Sequence, residues 1–262
     1  MQRPIAWSQV IDFIGRRDAE LASSFVGVRQ SEIDAVQAQY GISLPSAYVH
    51  FLRTMGENSG ELHPFGNTYV HTFSELLEQL PPEDYPGDRF FKVAFVIEEL
   101  AVDLIDIYLD LNRSDGYDSP LVSFEIPLEP NATNFSEDRL SFAEKLVYRV
   151  FRKLDVDRKR YGATIVVFGG DPGNLRGTKQ AALNVLMRSG FAAALPELQR
   201  LGCLTRESVS MLISISDARK LIRVEMGSDR RDAIEELVRD LLAAFPGAQL
   251  SAPPAERTDQ SC

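Results

Sequence analysis

Sulfur and imidazole chemistry are both scarce in this chain. Its 262 residues include only two cysteines, Cys203 and Cys262, and three histidines, His50, His63 and His71. Two cysteines, one of them the last residue of a polar tail, provide neither a disulfide framework nor a cysteine-based metal site. The histidines all lie in the first third. None sits in a G-x-S-x-G or H-E-x-x-H setting, and no serine or cysteine stands in a supporting motif, so nucleophilic and zinc-peptidase catalysis are not expected. Long apolar runs are lacking too: nothing is long enough to span a membrane, and the opening MQRPIAWSQVIDFIGRRDAE has no continuous apolar core of the secretory type. A cytoplasmic location is the expectation. In that setting the sequons Asn131-Ala132-Thr133 and Asn134-Phe135-Ser136 are a solvated loop rather than glycan acceptors.

The first half is also poor in positive charge. Residues 1–150 hold 24 acidic against 11 basic side chains, net −13, whereas residues 151–262 hold 14 against 17, net +3. Within 98–129 nine acids (Glu98, Glu99, Asp103, Asp106, Asp110, Asp115, Asp118, Glu125 and Glu129) accompany one base, Arg113. Such a surface repels phosphate backbones, which argues against nucleic acid as a partner, and steers basic proteins toward it. With 44% hydrophobic and 25% charged residues the composition is otherwise that of a globular protein, long enough for two domains.

The segment Ser31 to Gly56 carries the clearest pattern. Ser31 suits an N-cap, Ile33, Val36 and Tyr40 form one apolar stripe, and Gly41 ends the helix. Leu44-Pro45 forces an extended corner, because the residue before proline is pushed out of the α region and proline itself suits a first helical turn. Tyr48, Phe51, Leu52 and Met55 then stripe a second helix closed by Gly56. Thr72 to Glu75 forms a capping box for a third helix through Leu76, Leu77 and Leu80.

The order Tyr40-Gly41-Ile42-Ser43-Leu44-Pro45-Ser46-Ala47-Tyr48, continuing to Phe51-Leu52 and Gly56, resembles the opening signature of the SUKH superfamily. Asp106-Ile107-Tyr108-Leu109-Asp110-Leu111 looks like that family's central strand, Leu121-Val122-Ser123-Phe124 like the next, and Ser141-Phe142-Ala143-Glu144-Lys145-Leu146 like its closing helix. The resemblance covers roughly residues 1–153. It implies an α+β domain with a mainly antiparallel sheet flanked by helices. It also implies an immunity role: binding and occluding a protein toxin, basic and nuclease-like, without catalysis or cofactor. Regulatory scaffolding of endogenous proteins is the alternative.

Spacing excludes other chemistry on the acidic strand. Asp106 and Asp110 share one face of an alternating strand but stand roughly 13 Å apart, too far to share one ion. Asp106 beside Tyr108 is a docking spot for an arginine or lysine. Asp110 to Asp118 resembles a calcium loop, yet Gly116 falls one residue late and position twelve is Leu121. The partner-binding residues expected are therefore Glu98, Glu99, Asp103, Asp106, Tyr108, Asp110, Asp115 and Asp118.

A charged linker, Leu154 to Tyr161, places a domain boundary near 157, giving domains 1–157 and 158–250 and a disordered tail 251–262. The second domain is expected as strand 164–168, helix 179–189, a short helix broken around Pro196, strands 209–215 and 221–226, and helix 229–245. This smaller α+β unit, βαββα, lacks one strand of a ferredoxin-like fold, which Ala248-Gln249-Leu250 would supply. The glycine-rich turn Gly169 to Lys179 matches neither the P-loop nor the Rossmann spacing. If it holds phosphate, Gly173, Arg176, Gly177 and Lys179 are the residues to do so, which would make the second domain a phosphate-ligand enzyme.

Overall fold

The computed structural model describes residues 7–78, 89–96, 105–125, 136–168, 172–216, 219–245 and 247–257. The chain divides into two compact units, Asp18–Leu146 and a second made of Met1–Arg17 with Val147–Cys262. The boundary thus falls at 146, not near 157, and the first helix, α1 (Trp7–Arg17), belongs to the C-terminal unit. Its apolar stripe explains the assignment. Val10, Phe13 and Ile14 are buried, the Phe13 ring lies 5.9 Å from that of Phe151, and Arg17 donates to Asp155 at 3.0 Å. The expected linker is consequently core: Leu154, Asp155 and Val156 are all buried in a π-helical turn, Arg152–Val156.

In the unit Asp18–Leu146, helices α2 (Ala19–Ser23), α3 (Gln30–Tyr40) and α4 (Ser46–Met55) precede β1 (Tyr69–Val70) and α5 (Phe73–Glu78). Strands β2 (Phe90–Val96), β3 (Ile105–Asp110), β4 (Pro120–Glu125) and β5 (Ser136–Ser141) complete an antiparallel meander in the order β1-β2-β3-β4-β5. α3 starts one residue before the expected cap Ser31, because the Glu32 carboxylate turns back to accept the Arg29 N–H at 3.1 Å. Gly41 ends it in the left-handed region at φ 63°, where glycine has no side chain to strain. No side chain caps α4 after the Leu44-Pro45 corner. Its first N–H groups donate instead to the carbonyls of Gly116 (3.1 Å) and Tyr117 (2.8 Å), satisfying donors that would otherwise be orphaned. The Thr72 hydroxyl and Glu75 carboxylate bond at the start of α5; Leu80 lies outside the described residues. Tyr48 and Phe51 are fully buried, their rings 5.0 and 5.5 Å from that of Phe142.

Helix α6 (Phe142–Phe151) runs into the π-helical turn. The second unit continues with β6 (Tyr161–Phe168), α7 (Pro172–Arg188), β7 (Ala192–Ala193), β8 (Leu201–Arg206), β9 (Val209–Ser216), β10 (Leu221–Ser228), α8 (Arg231–Ala244) and β11 (Ala248–Glu256). Its sheet order is β11-β6-β10-β9-β8-β7. The sequence β6-α7-β9-β10-α8-β11 with β11 beside β6 is a ferredoxin-like arrangement extended by β7 and β8. Three expectations are corrected. The short helix around Pro196 is absent and a strand, β8, follows it unforeseen. α7 begins at Pro172 rather than Lys179. The tail is strand through Glu256, since Pro253 and Pro254 fit an outer strand whose pairing with β6 slips between Ala252 and Ala255.

One face of this sheet packs on α7 and α8 through Ile165, Met211, Ile213, Val224, Leu237 and Leu241. The other carries Ser210, Leu212, Ser214 and Ser216, also buried. The π-helical turn approaches so closely there that a Cβ on Gly227 would stand 2.4 Å from the Val156 carbonyl oxygen.

Candidate functional site

The expected acidic docking face starts from β3, where alternation was to leave Asp106, Tyr108 and Asp110 in solvent. All three are buried, at 4%, 3% and 0% exposure. The neighbouring strands supply what the alternation omits. The Lys92 Nζ on β2 lies 2.8 Å from Asp106 Oδ2, and the Tyr108 hydroxyl donates to the same oxygen at 3.4 Å. Arg89 forks onto Asp110, Nε to Oδ1 at 3.1 Å and Nη2 to Oδ2 at 2.9 Å, a bidentate geometry that fixes direction as well as charge. Around them Phe90, Tyr108, Val122 and Phe124 form an apolar cluster. Both faces of β3 are therefore interior, and these three residues are not an exposed docking surface. The missed partners left a faint trace in the sequence: Lys92 is the one base within the otherwise apolar β2, and Arg89 immediately precedes that strand.

Asp115 and Asp118 lie in the turn after β3. Asp115 Oδ1 accepts the Tyr117 and Asp118 N–H groups at 2.9 and 2.8 Å and remains exposed. Asp118 is engaged in capping α6, accepting from the Ala143 N–H at 3.1 Å and from the Ser141 hydroxyl. Burial pushes its carboxyl up to about 6 despite those bonds. Of the eight predicted partner-binding residues, Asp115 alone stands exposed among the described ones; Glu98, Glu99 and Asp103 lie outside the described residues.

The glycine-rich turn is likewise reorganised. Gly173, Arg176, Gly177 and Lys179 are all residues of α7. Lys179 is buried, and its Nζ donates to the Leu198 carbonyl at 2.6 Å and to Glu197 Oε1 at 3.2 Å. Arg176 is exposed and meets the Gln199 amide oxygen at 2.7 and 2.9 Å. Lys179 thus fastens α7 to the segment before β8 and does not face a phosphate cradle; the four residues do not converge.

Two groupings escaped sequence reasoning. Ser59 Oγ and His71 Nε2 are hydrogen-bonded at 2.8 Å, although twelve residues separate them. At 3% and 6% exposure the hydroxyl has no path to a substrate, and burial holds the imidazole down at about 4. On the serine-bearing face of the C-terminal sheet, Glu225 accepts the Tyr148 hydroxyl at 2.7 Å and faces Arg152 at 3.8 Å. Burial first, then Glu225, pushes the Tyr148 phenol up to about 12. The alternation Arg223-Val224-Glu225-Met226 is the trace of this polar face.

Exposed negative charge survives elsewhere in the same unit as β3. From Thr54 to Asp88 the chain holds seven acids and no lysine or arginine. Glu61, Glu75 and Glu78 are exposed and Glu57 half-buried, the last accepting from the Ser74 hydroxyl at 2.7 Å. Divided at the observed boundary, Asp18–Leu146 carries 23 acidic and 7 basic residues, net −16, and the other unit is net +6. No helix among the described residues is long and apolar enough to cross a membrane. Comparison with protein-family models, with curated proteins and with solved structures finds no match for this chain.

Proposed function

We propose that this chain is a SUKH-type immunity protein that binds and occludes a basic protein toxin in the cytoplasm, using the acidic unit Asp18–Leu146. The observation that carries the reading is the segregation of charge, −16 in that unit against +6 in the other. A charge imbalance of this size destabilises the compact state through self-repulsion and is useful for steering an oppositely charged partner. The helix, Leu44-Pro45 corner and helix followed by an antiparallel sheet supports the same reading.

The docking surface is reassigned accordingly. Among the described residues the reading rests on the exposed Asp115, Glu61, Glu75 and Glu78 and the half-buried Glu57; the four glutamates lie in a stretch of chain without lysine or arginine. Capture with the full chain as bait, against the product of the adjacent reading frame and against its own lysate, tests the idea. A single basic partner whose toxicity is abolished supports immunity. Several housekeeping partners would favour the scaffolding alternative and contradict it.

A further inference from the structure

Arg223 occupies the middle of β10, a central strand, on the sheet face opposite α7 and α8. Its Nε is buried with no hydrogen-bond partner, and among the described residues its guanidinium makes no ion pair. The acid two residues along, Glu225, is already engaged by Tyr148 and Arg152. A partly desolvated cation without a counter-ion is costly to keep unless something compensates it.

Strand register identifies what surrounds it. Arg223 pairs across to Ser214 on β9 and Val166 on β6, and the next residues on the same face are Leu221, Ser216 and Phe168, again in one lateral row. Residues directly opposite in an antiparallel pair project to the same side. Arg223 therefore stands directly between Ser214 and Val166, with the Phe168 ring one row away on β6; both serines are buried, and Phe168 is among the most exposed large apolar side chains of the described residues, at 58%.

We infer that this face is a binding site for a small aromatic oxyanion, a phosphate or carboxylate carried on a ring. The guanidinium fork would take the oxygens, and Phe168 would cover the ring. The site is built from the C-terminal unit alone and does not depend on the toxin-binding reading.

Calorimetric titration of the full chain at low salt with phenyl phosphate, benzoate and inorganic phosphate tests it. Phenyl phosphate or benzoate is expected to bind one to one, and which is tighter tells phosphate from carboxylate. Arg223→Met is expected to weaken that binding at least tenfold while raising the melting temperature of the ligand-free protein, because it removes a charge that pairs with no acid among the described residues. Phe168→Ala is expected to reduce phenyl phosphate to the affinity of inorganic phosphate and leave the latter unchanged. Arg239→Gln, an exposed arginine of α8, changes neither. The inference is overturned if neither aromatic anion binds at millimolar concentration, if Arg223→Met leaves binding intact, or if Arg223→Met lowers the ligand-free melting temperature or fails to fold. Intact binding would take the guanidinium out of the site, and a less stable or unfolded variant would make Arg223 a structural residue; the wild-type titration stands in either case.

Discussion

Lys92 Nζ sits 2.8 Å from Asp106 Oδ2 across the β2–β3 pair, with the lysine side chain 15% and the aspartate 5% exposed. This contact turns an apparent docking acid into half of an interior ion pair. Removing one partner leaves the other charged and buried, so Asp106→Leu or Lys92→Met alone should cost about 3 kcal/mol. The double variant should recover most of that loss. Chemical denaturation of the two single variants and the double variant checks it; a double variant as unstable as the sum of the singles would show that the pair is not a unit.

Two titrating groups oppose each other in mildly acid solution. Burial lowers His71 from the usual 6.5 to about 4, so the unfolded chain binds its proton first and stability falls as pH drops from 6.5 toward 4, by about 3 kcal/mol at most. Burial raises Asp118 from 3.8 to about 6, so the folded chain binds that proton first and stability rises as pH drops from 6 toward 3.8. Relative to wild type, His71→Gln should therefore be more stable at pH 5 than at pH 7, and Asp118→Asn less stable. Melting temperatures across this range decide; parallel profiles for the two variants would refute both assignments.

Lys179 is an anchor in this structure. Lys179→Met leaves the Leu198 carbonyl without its 2.6 Å donor and should destabilise the protein by about 1–3 kcal/mol. Inorganic phosphate should shift the melting temperature of the variant and the wild type equally. A phosphate-dependent shift lost only in the variant would restore the discarded cradle.

Two glycines are required for different reasons. Gly41 has φ 63°, and a Cβ placed on it would meet nothing within 4 Å, so Gly41→Ala should cost only the backbone penalty, about 1 kcal/mol, and Gly41→Asn less. Gly227 has ordinary φ, but its Cβ would lie 2.4 Å from the Val156 oxygen. Gly227→Ala should cost about 1–3 kcal/mol, and asparagine should bring no relief there. Thermal denaturation of the four variants separates conformational from steric cost; asparagine relieving both sites alike would contradict the distinction.

Local signals in the sequence located most elements. The α3–corner–α4 pattern, the strands at 105–110, 209–216 and 221–228, and α8 all follow from periodicity, proline and glycine. What periodicity does not encode is what covers a face. Asp106 and Asp110 alternate with apolar residues as a half-exposed strand would, and only the pairing with Lys92 and Arg89 reveals an interior. The same blindness made Leu154 to Val156 look like a linker, because its charged neighbours outweigh three residues that bury against the sheet. Gly173 and Gly177 lower helix propensity enough to suggest a turn, and the Lys179 anchor overrides them. β8 was hidden beside Pro196, and β11 by the prolines an edge strand tolerates.

The association rate of the captured basic partner as a function of salt, for wild type and for Glu57→Lys/Glu61→Lys/Glu75→Lys/Glu78→Lys, tests the central claim most directly. Charge steering predicts a rate that falls steeply as salt shortens the screening length toward 8 Å or less, and a reversal variant that folds normally yet associates roughly tenfold or more slowly at low salt. A salt-independent rate, or a variant that associates as fast as the wild type, would contradict it.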